Sequence, residues 1–198
     1  PLQEALREQA RTFLAATPEP DWPALAGLGW TGVALGEEVG GAGLGLLEEV
    51  VLHEEAGRAL LHAPFWSTAR LAPHLPEEDR RRVAAGETSW VLADGPLVPD
   101  LDTATEVAVV GGDTVWALEG ATRELLATTD ETRPLGVIVG GDVGRPLFAS
   151  EELPRIRSRS LVTLAFEALG AGGRALEQAV AYAGERHQFG RPIGAYQA

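Results

Sequence analysis

Arg186, Gln188, Phe189 and Gly190 stand together near the end of this chain, and two of them, Arg186 and Phe189, have side chains that could contact a phosphorylated ligand. A planar guanidinium matches two phosphate oxygens with two parallel N–H bonds, which makes arginine a better fork for pyrophosphate than lysine. A phenyl ring beside it can lean on an adenine or a ribose. Each residue also has a plainer role: a cation near a helix C-terminus offsets the macrodipole, and a phenylalanine past a helix end can plug a bundle. A second candidate, Gly40-Gly41-Ala42-Gly43, has the glycines of a phosphate cradle. It lacks the GxGxxG spacing, a preceding strand and the Lys-Ser/Thr of a P-loop, so it reads as a structural turn. The histidines His53, His62, His74 and His187 have no HxxxH or HExxH spacing, and there is no cysteine. No metal site, thiolate nucleophile or disulfide is expected.

The charge balance limits the partners. Lys and Arg number 16 against 29 Asp and Glu, a formal net charge of -13, which opposes nucleic acid and anionic lipid by Coulomb repulsion. A local arginine cluster can still hold a small phosphorylated ligand, because bidentate contacts depend on local geometry. No apolar run approaches the ~20 residues that span a bilayer, and no basic and apolar leader opens the chain. No membrane partner is expected, and a cytoplasmic location is the default. With no methionine and no capping signal at Gln197-Ala198, the sequence reads as part of a longer protein.

Several elements must position these residues. Leu2, Leu6, Ala10, Phe13 and Leu14 recur at helical spacing and stop at Pro18 and Pro20. Asp21 before Trp22-Pro23 is an N-cap signal for a short helix ending at Gly29. The glycine loop feeds a third helix through Leu46, Val50, Val51, Ala56 and Leu60, and shorter helices follow over 63–76 and 77–85. From 87 to 148 the text changes to short runs, 89–93, 105–110, 114–118 and 136–139, separated by Gly, Pro and Asp, as strands joined by turns would be. After Pro154 a helical period returns from Leu161 to Ala183. It predicts a helix of about 25 residues, roughly 38 Å long, with a small-residue face suited to a helix bundle. Gly190 and Pro192 stop it.

Two long segments and one short one resemble a known family. Ala168-Leu169-Gly170-Ala171, Arg174-Ala175-Leu176, Ala179 to Ala183 and Arg186 to Gln197 resemble the long helix and following turn of acyl-CoA dehydrogenases, a pattern written LGAxxxALxxAxxYAxxRxQFGxPIxxxQ. Leu28-Gly29-Trp30 to Gly45, Glu54 to Ala59 and Pro64-Phe65 are similar to that family's N-terminal helical domain, and Asp130 to Leu135 to its D-x-T-R stretch. The resemblance implies an α+β, mainly helical fold: an N-terminal helical domain over 1–86, a small β-barrel-like middle domain over 87–150, and over 151–198 the long helix that opens a C-terminal four-helix bundle.

It also implies FAD as cofactor, an acyl-CoA thioester as substrate and a 2-enoyl-CoA as product, a carboxylate taking the α proton while the β hydrogen leaves as hydride. Arg186, Gln188, Phe189, Gly190 and Gln197 match family positions that hold the adenosine and pyrophosphate of an FAD bound mainly in a neighbouring subunit. That implies a homodimer, a homotetramer or a heteromer with a related subunit. Departures accompany the matches. Val91-Leu92-Ala93-Asp94-Gly95 stands where the flavin-contacting TEPxxGSD stretch belongs, the Trp-Ile/Val-Thr/Ser element that should follow is missing, and Gly36 replaces a proline. The family's usual catalytic glutamate falls beyond Ala198. Its alternative position, at the start of the long helix, holds Ser158-Arg159-Ser160, and Glu167 reads as structural or hydrogen-bonding. Three functions stay open: an active acyl-CoA dehydrogenase, a non-catalytic partner subunit that helps hold FAD across an interface, and a flavin monooxygenase or oxidase on the same scaffold.

Overall fold

The computed structural model describes residues 2–196, so the expected contact residue Gln197 lies outside the described residues. Five helices come first: α1 (Leu2–Ala16), α2 (Trp22–Gly27), α3 (Leu46–Ala59), α4 (Phe65–Leu71) and α5 (Glu77–Ala84). Asp21 caps α2 as its position predicts, its carboxylate accepting from the Ala24 N–H at 2.9 Å. The glycine loop before α3 is a turn. Gly40 and Gly43 have φ of 82° and 65°, and a Cβ on Gly41 would lie 2.2 Å from the Leu35 carbonyl oxygen. Its glycines are thus explained by backbone geometry. Two apolar clusters organise this half of the molecule, one of them around Leu25, Trp30, Leu52, Ala56 and Phe65. The other joins Leu71, Leu75 and Val83 to Trp90, Leu92 and Ile156.

Five strands follow: β1 (Trp90–Ala93), β2 (Val98–Pro99), β3 (Glu106–Gly111), β4 (Thr114–Leu125) and β5 (Leu135–Ala149). They form one sheet in the order β1-β3-β4-β5-β2, with β1 parallel to β3 and the other pairs antiparallel. β1 and β2 are the two end strands of the hydrogen-bonded order and lie against each other without pairing, so hydrogen bonds do not carry the expected barrel-like closure. Side chains of α4 cover the open edge of β1. The Thr68 hydroxyl accepts from the Trp90 N–H at 2.9 Å and donates to the Trp90 carbonyl at 3.3 Å, while Arg70 donates to the Leu92 carbonyl at 3.2 Å. Backbone groups that would otherwise invite another strand are satisfied in this way.

The last helix, α6 (Leu153–Glu185), has 33 residues rather than about 25. Its first turns bury Leu153 and Ile156 against the sheet and helices, a stretch whose period is obscured by the alternating Arg155, Arg157 and Arg159. α6 crosses α3 at Gly57 and Gly170, where the two backbones nearly touch. Beyond Gly170 its residues are mostly exposed, Leu176 and Val180 among them. Among the described residues no helix is long and apolar enough to cross a membrane.

Candidate cofactor-contact site

α6 ends by handing its chain to a small hairpin, β6 (His187–Gln188) and β7 (Arg191–Pro192), which pair as His187↔Pro192 and Gln188↔Arg191. The two residues between them, Phe189 and Gly190, have φ of 51° and 83°. A two-residue hairpin loop of this kind needs positive φ at both positions, which glycine supplies freely and phenylalanine does not. Phe189 is strained and 93% exposed. A Cβ on Gly190 would meet nothing within 4 Å, so the turn requires its φ and not its small size.

The hairpin is tied down around this turn. The Arg186 N–H donates to the Tyr182 carbonyl at 2.9 Å, and the Arg186 guanidinium donates to the Tyr182 hydroxyl and lies 5.6 Å from that ring centre. Tyr196 donates its hydroxyl to the Gln188 carbonyl at 2.8 Å and stacks under Arg191, whose guanidinium carbon is 3.9 Å from the ring centre. The structure therefore brings Arg186, Gln188, Phe189 and Gly190 onto one exposed tip and adds Arg191. Sequence reasoning passed over Arg191, although a second arginine five residues after Arg186 was the signal for it. Two guanidiniums, an amide and an exposed phenyl ring fit a pyrophosphate with an attached adenosine.

The stretch at the end of β1 has a different donor set. Val91 and Leu92 are buried in apolar clusters, and Asp94 pairs with Arg157 at 3.2 Å. Side chains with hydroxyl and amide donors, which a flavin ring would require there, are not supplied by Val91 to Gly95. This segment offers an isoalloxazine no side-chain hydroxyl or amide donor. A cavity of about 820 Å³ opens between α1, α3 and α6, lined in part by Leu14, Glu55, Leu60 and Ala175, and among the described residues none of the expected contact residues lines it.

Glu167 has a structural partner. Its carboxylate accepts from Arg133, and burial pushes its pKa up against the opposing charge of that arginine. A similar pair lies between α3 and α6, where Arg159 donates to Glu49, whose pKa burial also raises. His53, 3.8 Å from Glu49 and stacked on Phe65 at 4.5 Å, is fully buried. Burial, with help from the charges of Arg133 and Arg159, holds His53 down to about 3, so it is neutral. The other histidines are scattered: His62 lies 2.9 Å from Asp102, His74 3.3 Å from Glu152, and His187 2.9 Å from the Glu185 carbonyl.

A helical front, a small sheet and a long helix ending in an exposed, guanidinium-bearing hairpin make up the described chain. The family models "Acyl-CoA dehydrogenase, N-terminal domain" and "Acyl-CoA dehydrogenase, C-terminal domain" match residues 1–75 and 159–198, together more than half of the chain. This chain belongs to the acyl-CoA dehydrogenase family. It is 34% identical to acyl-CoA dehydrogenase FadE34 of Mycobacterium tuberculosis across 90% of this chain and 28% of that protein. Acyl-CoA dehydrogenase IpdE2 of the same organism is also 34% identical, across 86% of this chain and 55% of that protein. The chain thus spans between about a quarter and about half of these relatives. Among solved structures, the Tcur3481-Tcur3483 steroid ACAD variant superimposes with a TM-score of 0.78 at 29% identity, over 98% of this chain and 69% of that one. The ChsE4-ChsE5 complex from Mycobacterium tuberculosis gives 0.81 at 20% identity over 98% and 70%, a likeness of fold.

Proposed function

We propose that this chain is a subunit of an FAD-dependent acyl-CoA dehydrogenase assembly that converts an acyl-CoA thioester to a 2-enoyl-CoA. Its hairpin contributes Arg186, Gln188, Phe189 and Gly190 to the adenosine and pyrophosphate of an FAD held mainly by a neighbouring subunit. The observation that carries this reading is the hairpin tip itself: a strained, 93% exposed Phe189 between two arginines, with no core for the ring to plug. When bound, FAD supplies the two-electron acceptor. The chain's own part is to fork the pyrophosphate with Arg186, accept or donate through the Gln188 amide, and offer the Phe189 ring as a surface for the adenosine. Gln197 belongs to the same contact set. The division at residues 86 and 150, a cytoplasmic location and an oligomeric state are parts of the same reading.

A second reading has its own support. The closed, apolar and ion-paired end of β1 favours a non-catalytic partner subunit that lends its hairpin to a related chain, and two solved relatives are named as pairs of proteins. One experiment separates the two. The full-length protein is purified alone, its flavin spectrum recorded, and acyl-CoAs added anaerobically. Bound FAD that bleaches favours a complete enzyme; a colourless protein that turns yellow and active only with a related subunit favours the partner. Unchanged FAD affinity of the assembled oligomer in Arg186→Ala would remove the hairpin from the cofactor site.

A further inference from the structure

Between β4 and β5 the chain runs through residues 126–134 without regular structure, held inward at its far end by Arg133. The Arg133 guanidinium donates to Glu167 of α6, its Nε lies 3.7 Å from Asp100 in the turn after β2, and its central carbon is 5.5 Å from the centre of the Trp66 ring on α4. Trp66 in turn donates its indole N–H to the Ser160 carbonyl of α6 at 3.1 Å and has Arg70 over its ring at 4.6 Å. Four segments distant in sequence therefore meet at one guanidinium.

This junction carries conformational cost. Asp100 is buried, with a φ of 58° that a residue with a Cβ rarely adopts, and it accepts from the Ser67 hydroxyl at 2.6 Å. Arg133 Nε and Glu167 Oε2 are buried without a hydrogen-bond partner. The rest of the segment is joined weakly. Asp130 folds back on Thr132, and two backbone bonds lead outward, Leu126 N–H to Leu135 at 2.9 Å and Asp100 N–H to Pro134 at 3.1 Å. Among the described residues, the side-chain polar contacts between this segment and the helices run through Arg133.

We propose that Arg133 is a latch: one side chain that holds segment 126–134 down onto α6, and whose release frees that segment, and with it the Asp100 N–H bonded to Pro134, while the helices keep their packing. The segment itself is mostly exposed, so its closed position owes more to ion pairing and cation–π contact than to apolar burial, and it opens locally and below the cost of global unfolding. The inference is independent of any cofactor.

Hydrogen exchange on the full chain tests it, with limited proteolysis at Glu131 as a second readout. In Arg133→Ala, the Asp100 and Leu126 amides exchange at least roughly ten-fold faster and Glu131 becomes a preferred cleavage site, while amides around Gly57 and Gly170 keep their protection. Glu167→Gln, which keeps the shape and removes the charge, accelerates the same amides less. Unchanged exchange at Asp100 and Leu126 overturns the latch, and so does acceleration spread equally over α3 and α6 in both variants. Should Arg133→Ala fail to fold, Glu167→Gln decides alone: local acceleration supports the latch and none overturns it.

Discussion

Gly57 of α3 and Gly170 of α6 are the points at which the two helices approach most closely: a Cβ on the first would lie 1.9 Å from the Glu167 carbonyl oxygen, and on the second 1.8 Å from that of Glu54. Backbone cannot yield as a side-chain tip can. Gly170→Ala and Gly57→Ala should each destabilise the protein by about 1–3 kcal/mol, the cost of overpacking outweighing the better helix propensity of alanine. Gly172 and Gly173, where a Cβ meets nothing within 4 Å, are the control. There, alanine should stabilise by about 0.5–1 kcal/mol. Urea midpoints of the four variants test both signs.

Phe189→Gly separates strain from binding. Removing the side chain relieves a positive φ that costs an ordinary residue about 1–2 kcal/mol, so flavin-free protein should melt no lower than wild type. If the ring touches the adenosine, FAD affinity of the assembled oligomer should fall by about ten-fold, the equivalent of about 1.4 kcal/mol. Thermal unfolding without flavin and a flavin titration of the oligomer give the two readings separately.

His53 makes stability depend on acid. Its pKa is about 3 when folded, against an ordinary 6.5, so the unfolded chain binds the extra proton between those values. The contribution of the neutral ring is complete above about pH 6.5 and falls by up to about 1.4 kcal/mol per pH unit as the pH drops towards 3. Glu49, Glu167 and Asp100, raised by burial, act in the opposite direction and lose stability as the pH rises through their folded values. His53→Leu should therefore flatten the acid limb between pH 4 and 6.5 and leave the carboxylate contribution in place. Denaturant midpoints at half-unit steps measure it; an unchanged acid limb would exclude the imidazole as its source.

Thr68→Val keeps the shape of a buried side chain and removes both hydrogen bonds that cover the edge of β1 at Trp90. Two buried backbone groups lose their partners, for a loss of about 1–3 kcal/mol. Because the uncovered groups lie on a strand edge, aggregation on heating should also increase. Light scattering during thermal unfolding tests the second effect independently of the first.

How far the sequence could be read depends on the distance over which each feature is encoded. α1, α2 and α3 were legible because Leu, Ala and Phe recur at helical spacing and Asp21, Gly29 and the glycine loop punctuate them. β4 and β5 were cut short because Gly120, Gly140 and Gly141, exposed and without side chains, interrupt the apolar pattern along them. The start of α6 was hidden by Arg155, Arg157 and Arg159, which sit among the residues that anchor it. The hairpin residues were singled out by their match to a family motif, although Phe189's strain was not, since it belongs to φ rather than to composition. Arg133 was noticed within Asp130 to Leu135, but its partner Glu167 lies 34 residues away and only the folded chain joins them.

The crossing at Gly57 and Gly170 has a mechanical consequence. Past that point α6 runs on for about 15 residues before the hairpin, a cantilever of about 23 Å at 1.5 Å per residue. With such an arm, a tilt of about 5° at the fulcrum displaces Arg186 by about 2 Å, more than a bidentate hydrogen bond tolerates. A methyl group added at the pivot would then be felt at the far tip, where no atom has been changed.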